Sequence, residues 1–267
     1  MIATAPAPER PRTRPLGPLR HSLVLARRSL AKTKRNPGAV INGVITPTVF
    51  LVLFLYLFGR SVAGSTTGYL QYLFPGILVM GAGLAGMIST GTNINLDLKN
   101  GVTDRFRSLP ISRLAPLLGS VLADIVRYLL GVGILFATGT LLGFRAHGGP
   151  AAGLAAAGLA ILFGFCLSWV TVLIGVLIKD ANAVLAFSFI TFLPLQLGTS
   201  LAAPTDSLPG WLGAWAGINP VTHAMDACRA LLNGTPVDGT VTTTLVWCAA
   251  LFFGFCPLAV RAYSRQQ

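Results

Sequence analysis

A charged pair lies inside an otherwise apolar stretch of the sequence. Asp124 and Arg127 are three residues apart, so a helix would place both side chains on one face. Ionisable residues within a membrane span often belong to a substrate or proton path. The alternative is a structural ion pair near the cytoplasmic end of the span, with the arginine reaching the interface, and we favour this interpretation.

A group of charged residues occupies positions 95–113, between two apolar stretches. Its charges are of both signs, namely Asp97, Lys99, Asp104, Arg105, Arg107 and Arg113. Val102, Phe106 and Leu109 recur at spacings of four and three, which predicts a short amphipathic helix that stops near Pro110. Its apolar side could face the bilayer or enter a groove on a cytoplasmic partner. The mixed charges beside the phenylalanine favour the partner.

Sequence motifs for catalysis and metal binding are absent from the chain. None of its lysines follows a glycine, which excludes the G-K-[ST] phosphate-binding loop of ATPases. The three histidines lack the H-E-x-x-H spacing of a zinc site, the four cysteines lack a C-x-x-C, and no G-x-S-x-G motif occurs. We therefore predict no catalytic residue, no metal site and no cofactor in this chain.

The composition is that of a membrane protein. The 267 residues are 53% hydrophobic and only 10% charged, whereas soluble domains carry about 25% charged residues. The net charge of +12 could indicate nucleic-acid binding, but apolar runs long enough to cross a bilayer occupy most of the chain. Nucleic-acid binding is therefore disfavoured, and the excess of Lys and Arg is expected on cytoplasmic loops.

Six apolar segments approach or exceed the roughly 20 residues needed to cross a bilayer. They cover about residues 40–59, 69–94, 114–143, 151–178, 182–203 and 241–260. The segment after the fifth span contains Trp211 and Trp215 and is interrupted by Pro and Gly, which predicts two short helices dipping into the outer leaflet. We predict an all-α polytopic membrane protein with six transmembrane helices.

The first 36 residues are basic and differ from the rest of the chain. After a Pro- and Arg-rich tail, leucines recur at spacings typical of an amphipathic helix on the inner leaflet. This predicted interfacial helix includes Leu19, Leu23, Arg27, Arg28 and Leu30. The alternative is a basic segment that only retains the N-terminus in the cytoplasm. We predict two units, a tail with its helix at 1–36 and a six-helix membrane domain at 37–267.

The charge distribution predicts the orientation of the chain. With the N-terminus inside, the entire net charge of +12 falls on the inner segments, while the outer loops are neutral. This agrees with the positive-inside rule for an even number of spans, so we predict that both termini are cytoplasmic.

Two strings of residues in the sequence are distinctive. The first is Gly101 followed by D-R-F-R-S-L-P-I-S-R at 104–113. The second is N-P-V-T at 219–222, followed by Asp226, Arg229 and A-L-L at 230–232. In these strings the sequence resembles the membrane subunits of type-2 ATP-binding-cassette (ABC) exporters, in particular the daunorubicin-resistance-type permeases. Many family members have a glutamate just before the loop glycine, where this sequence reads D-L-K-N at 97–100.

The resemblance implies a division of labour between subunits. The first inner loop would be a coupling helix against a separate cytoplasmic ABC ATPase subunit, and the N-terminal helix would add a second contact. ATP and Mg would bind to that ATPase, and two permease subunits, identical or different, would form the pathway. The implied coupling residues are Gly101, Asp104, Arg105, Phe106, Arg107, Pro110 and Arg113. The implied outer re-entrant segment includes Trp211, Trp215, Asn219, Pro220, Asp226 and Arg229.

We therefore predict a permease subunit of an ATP-driven exporter in the bacterial inner membrane. By analogy with the subgroup, its substrates would be amphipathic or hydrophobic compounds such as a drug, an antibiotic or a lipid. Polar span residues that could line the pathway are Asn42, Thr46, Asn93 and Gln196. The alternatives are a scaffold for a cytoplasmic protein, and an autonomous channel or ion-coupled carrier. A carrier would need several buried acids along its path, and only Asp124 clearly qualifies.

Overall fold

The computed structural model describes residues 37–99, 115–178, 180–237 and 239–265. Their regular secondary structure is helical throughout, as predicted. In chain order the helices are α1 Pro37–Ala63, α2 Thr66–Lys99, α3 Ala115–Leu141, α4 Gly149–Leu177, α5 Ala181–Gln196, α6 Gly210–Ile218, α7 Pro220–Asn233 and α8 Thr240–Arg265. A 3₁₀ turn at Thr205–Ser207 lies between α5 and α6.

Five of the described helices are long and apolar enough to cross a membrane, namely α1, α2, α3, α4 and α8. The fifth predicted span is shorter than expected. Its helix, α5, has 16 residues and ends at Gln196. Pro194 removes a backbone N–H from the last turn, and Gly198 adopts a φ of +74° that turns the chain. The prediction of one continuous span from 182 to 203 is therefore wrong.

The helix α2 lies at the centre of the described structure and packs against α1, α3, α4, α5 and α7. In the most apolar stretch of α2, 88% of the residues are buried, whereas in that of α1 only 22% are. Glycines on different sides of α2 admit neighbouring helices. A Cβ built on Gly81 would lie 2.8 Å from Leu135 of α3, and one on Gly83 would lie 2.8 Å from Phe192 of α5.

The most extensive helix contact joins α2 and α4, and glycines from both helices meet there. A Cβ on Gly175 would lie 2.3 Å from the carbonyl oxygen of Gly91, and one on Gly91 would lie 2.5 Å from that of Thr171. Real Cβ atoms do not come this close to a neighbour, so only glycine fits. The two helices therefore touch through their backbones, as small residues permit in membrane proteins.

Large apolar side chains are exposed on several helices. Tyr56 and Leu57 of α1, Ile190 of α5 and Phe253 of α8 are each more than half exposed. Exposed apolar surface on this scale is rare in soluble monomers, but lipid covers it in a membrane. The described part of the chain therefore has the surface of a polytopic membrane protein.

Candidate functional site

We name three groups of polar contacts between the described helices, two of them after the predicted sides of the membrane. The inner latch consists of Asn95, Lys99 and Asp180. The buried pair consists of Asp124 and Arg127. The outer clamp consists of Tyr69, Tyr72, Ser200, Asp226 and Arg229.

Asn95 of α2 supplies hydrogen bonds that the end of α4 cannot make for itself. The last carbonyls of a helix lack partners within that helix. The buried Asn95 side chain donates from Nδ2 to the carbonyl oxygens of Gly175, at 3.1 Å, and of Ile178, at 2.5 Å. It thereby joins α2 to the turn between α4 and α5.

Asp180 completes the inner latch at the start of α5. Its carboxylate accepts a hydrogen bond from the Ala183 N–H, which caps the helix, and pairs with Lys99 at 3.4 Å. The N–H bond first, and then Lys99, hold the pKa of Asp180 below its usual range. A lowered pKa means that the carboxylate stabilises the fold at neutral pH, and this contribution is lost only as the pH falls below about 4.

The buried pair connects α3 to α2. Asp124 is only 2% exposed and forms an ion pair with Arg127, so the two do share a helix face. Thr90 of α2 donates from its hydroxyl to the second carboxylate oxygen of Asp124, at 2.5 Å. Next to them, the Tyr128 hydroxyl donates to the carbonyl oxygen of Gly164 in α4, at 3.3 Å. Three helices thus meet at one polar point.

Arg229 of α7 is the centre of the outer clamp. Its Nε donates to the carbonyl oxygen of Tyr72 at 3.2 Å, and its Nη2 donates to that of Ser200 at 2.9 Å. The guanidinium also pairs with Asp226 and lies 4.0 Å above the centre of the Tyr72 ring. One arginine therefore connects α7, α2 and the segment that follows α5, a role suited to its rigid fork of donors.

The two tyrosines of α2 hold the same segment from the other side. The Tyr72 hydroxyl donates to the carbonyl oxygen of Ser200 at 2.7 Å, and that of Tyr69 donates to Ala202 at 2.8 Å. The Ser200 hydroxyl in turn donates to Asp226 at 2.6 Å. Segment Thr199–Ala202 lacks helical hydrogen bonds of its own, and these side chains satisfy part of its backbone.

The end of α5 is joined to α6 and α7 by two further side chains. Asn219 accepts from the Val221 N–H, which caps α7, and its Nδ2 donates to the carbonyl oxygen of Leu195 at 2.9 Å. The Trp215 ring N–H donates to the carbonyl oxygen of Pro194 at 3.3 Å. Both acceptors lie in the last turn of α5, where helical carbonyls need outside donors.

Comparison with known proteins places this arrangement in a family. The profile described as ABC-2 type transporter matches residues 20–233. The chain is 38% identical over 236 residues to the daunorubicin resistance ABC transporter permease protein DrrB1 of Streptomyces coeruleorubidus, covering 88% of this chain and 83% of the relative. It is 24% identical over 230 residues to the probable doxorubicin resistance ABC transporter permease protein DrrC of Mycobacterium tuberculosis, covering 86% and 83%.

The chain belongs to the ABC-2 type transporter family. The resemblance seen in the sequence is thereby confirmed, and so is its main implication. This ABC-2 transporter chain is a membrane permease subunit of an ABC exporter. A further relative, the putative transport permease ycf38 of Cyanophora paradoxa, is 28% identical over 218 residues, covering 79% of this chain and 73% of the relative.

Many of the functional residues predicted for this ABC-2 transporter chain lie outside the described residues. They are the coupling residues Gly101, Asp104, Arg105, Phe106, Arg107, Pro110 and Arg113, and the interfacial residues Leu19, Leu23, Arg27, Arg28 and Leu30. The side chain of Asn42, within α1, is also outside them. Their roles stay predictions.

The structure does not bring the other predicted pathway residues to one place. Thr46 is exposed on α1, and Asn93 is half-buried near the latch end of α2. Gln196 ends α5 at the clamp side, and its amide atoms are shielded from solvent without a hydrogen-bond partner among the described residues. Asn93 and Gln196 therefore lie toward opposite ends of the helix bundle.

Residues of the predicted re-entrant segment form two short helices, α6 and α7. Trp211 is 75% exposed, whereas Asn219 and Pro220 are buried at the start of α7. Sequence analysis missed Tyr69, Tyr72 and Ser200, which complete the clamp around Arg229. The spacing of the two tyrosines, one helical turn apart at the start of α2, is the signal that could have pointed to a shared polar contact.

Proposed function

We propose that two copies of this permease, or this chain and a related one, form the pathway of an exporter for amphipathic or hydrophobic compounds such as a drug, an antibiotic or a lipid. The observation that carries the substrate class is the 38% identity to a relative named for daunorubicin resistance. The extensive apolar surface of α1, α5 and α8 suits a protein whose substrates partition into lipid.

We assign ATP hydrolysis to a separate ABC ATPase subunit, which would hold ATP and Mg. The family and the absence of a G-K-[ST] motif from the sequence support this assignment. Residues 100–114 join α2 to α3, so a partner bound there would act on the end of the central helix. The proposed contact residues are Gly101, Asp104, Arg105, Phe106, Arg107, Pro110 and Arg113, with residues 19–30 as a second contact.

The proposed topology has six spans, with α5 as the fifth and both termini in the cytoplasm. The latch joins the end of α2 to the start of α5, and the clamp joins the opposite ends, which supports α2 and α5 running antiparallel side by side. Helices α6 and α7 have 9 and 14 residues, about 14 and 21 Å at 1.5 Å per residue. Both are too short to cross, which supports two re-entrant helices on the outer side.

The coupling contact can be tested by co-expressing the chain with its ATPase subunit. We expect wild type to co-purify with the ATPase and to export daunorubicin from cells only when the ATPase is active. The changes Phe106→Ala and Arg105→Glu should weaken both, because they remove an apolar anchor and reverse a charge on the docking surface.

A matched control is Arg145→Glu, which makes the same charge reversal at an exposed position on the predicted outer side. It should leave the complex intact. Undiminished co-purification of both loop variants would contradict the coupling assignment. Daunorubicin transport by the purified chain alone in vesicles would favour an autonomous channel or carrier instead.

A further inference from the structure

We infer that α5 is fixed to α2 at both of its ends, so that α5 follows α2 when the coupling segment 100–114 is displaced. Asn95 at the inner end and Arg229 at the outer end are the positioning residues. The inference rests on the proposed function, because it assigns these contacts a mechanical role in an ATP-driven cycle.

The inner attachment depends on how closely α2 and α4 approach. Gly91 lies four residues before Asn95 and therefore on the same side of α2. Its backbone contact with Gly175 brings the two helices near enough for the short Asn95 side chain to reach the carbonyl of Ile178. Ile178 is two residues before Asp180, the cap of α5. Asn95 thereby fixes the point at which α5 starts.

The Lys99–Asp180 pair lies at the same end and shows which elements are joined. Lys99 is the last residue of α2, and Asp180 is the N-cap of α5. Both side chains are about half exposed, at 47% and 59%, and exposed ion pairs contribute little stability. This pair matters because of its position: Lys99 directly precedes the coupling segment 100–114.

The outer attachment holds the segment that follows α5. Arg229 donates to one carbonyl of α2 and one of segment Thr199–Ala202, while Tyr69 and Tyr72 of α2 donate to the same segment. Four hydrogen bonds, together with the stacking of the guanidinium on Tyr72, make this contact as specific as the inner one. Displacement of α2 is therefore carried to both ends of α5.

Between its ends, α5 has its most extensive helix contact with α2. Phe192 packs against the bare backbone of Gly83. On the other side, Phe187, Ile190 and Leu193 are each more than half exposed. An exposed apolar side slides through lipid without breaking polar contacts, whereas sliding along α2 would break the latch and the clamp. The two helices should move as a unit.

The direct test is a cross-link across the inner latch. Lys99→Cys and Asp180→Cys are introduced together, joined by a short thiol-specific cross-linker, and the permease is reconstituted in vesicles with its ATPase subunit. We expect daunorubicin transport per ATP hydrolysed to match that of wild type, because these ends stay together through the cycle. Loss of transport in the cross-linked protein, but not in the two single-cysteine proteins treated in the same way, would overturn the inference.

The complementary variant is Asn95→Ala, which removes the two hydrogen bonds that Asn95 donates to the carbonyl oxygens of Gly175 and Ile178. We expect transport per ATP to fall by about fivefold or more, the lower end of typical coupling effects, while the ATPase subunit still co-purifies. Adding the 99–180 cross-link to this variant should restore the ratio of transport to ATP hydrolysed. A variant with a general folding defect would not recover when only these two ends are joined. An unchanged ratio in Asn95→Ala, or no recovery on cross-linking, would contradict the proposal.

The two proposals fail in different ways. If the wild-type complex hydrolyses ATP without moving daunorubicin or any other amphipathic probe, the proposed function is wrong before any variant is measured. If wild type transports and the cross-linked protein does not, only the attachment of α5 to α2 is wrong.

Discussion

Two Asp–Arg pairs of equal spacing have different surroundings in this permease. Asp124 and Arg127 lie in an apolar helix, and that contrast makes the pair visible in the sequence. Asp226 and Arg229 follow a segment rich in proline and glycine, which gives no sign that the arginine is only 15% exposed. Its main partner, Tyr72, lies 157 residues earlier. Contacts over such separations depend on the whole fold and could not be predicted from local patterns.

The buried pair offers a test at the residue scale. Asp124→Asn keeps the size of the side chain and its contact with Thr90 but removes the buried carboxylate charge that pairs with Arg127. We expect a loss of roughly 3 kcal/mol in stability and a smaller loss when Arg127→Gln is added. Thermal unfolding in detergent can be followed with a thiol-reactive dye, because Cys166, Cys228 and Cys248 are buried until the protein unfolds.

The opposite pattern would revive the alternative interpretation of Asp124. If Asp124→Asn abolished transport while its unfolding temperature stayed that of wild type, the carboxylate would belong to a substrate or proton path. The structural interpretation requires stability and transport to fall together.

Arg229→Lys is the corresponding test of the outer clamp. Lysine keeps the charge but cannot donate to Tyr72, Ser200 and Asp226 from one planar group. We expect a loss of about 2 kcal/mol, typical of a lost hydrogen bond from a charged donor, measured by the same dye assay. Arg145→Lys, at an exposed arginine, is the matched control and should unfold like wild type. Equal unfolding temperatures for the two variants would show that the clamp contributes nothing.

At the scale of helices, five of the six predicted spans correspond to helices long and apolar enough to cross a bilayer, because crossing imposes a minimum length on each helix. The end of α5 was not predicted. Pro194 and Gly198 are both common in membrane helices, so neither marks an end without knowledge of the side chains that receive the freed carbonyls. Asn219 and Trp215 are those side chains, and they belong to a segment distant in the sequence.

The contact between α2 and α4 predicts that two glycines of the same helix respond differently to alanine. In Gly175→Ala the new Cβ meets the backbone of Gly91, so we expect a loss of about 1–3 kcal/mol, as for other overpacked sites. Gly158→Ala, with nothing within 4 Å, should be neutral or slightly stabilising, because alanine favours the helix. Unfolding followed by the dye assay compares them, and similar losses in both would refute close backbone packing.

At the scale of the whole molecule, the sequence predicts which residues lie on the inner side of the membrane and which on the outer side. The structure tests whether residues assigned to the same side lie at the same end of the helix bundle. Lys99 and Asp180, both assigned to the inner side, do meet at one end of the bundle. Tyr72, near the predicted outer end of α2, and Arg229, in the predicted outer segment, meet at the other. The absolute orientation rests on the positive-inside rule.

Cysteine labelling would test that orientation in intact cells. A thiol at position 108, made by Ser108→Cys, should resist a membrane-impermeant maleimide until the cells are permeabilised. Ser207→Cys, in an exposed turn on the predicted outer side, should react at once. Reaction of position 108 in intact cells would reverse the topology. The native cysteines should stay silent, since three are buried and Cys256 is half-buried in α8.

The shortness of α5 has a consequence for the surrounding lipid. Its 16 residues measure about 24 Å, whereas the hydrocarbon core of a bilayer is about 30 Å thick. If α5 is the fifth span, as proposed, acyl chains beside it would compress to match it, a cost of hydrophobic mismatch that grows with bilayer thickness. If the proposed export function is right, transport of a daunorubicin probe should be faster in vesicles of short-chain phospholipids than in long-chain ones. A thinned annulus beside α5 would also be the easiest place for an amphipathic molecule to leave its leaflet.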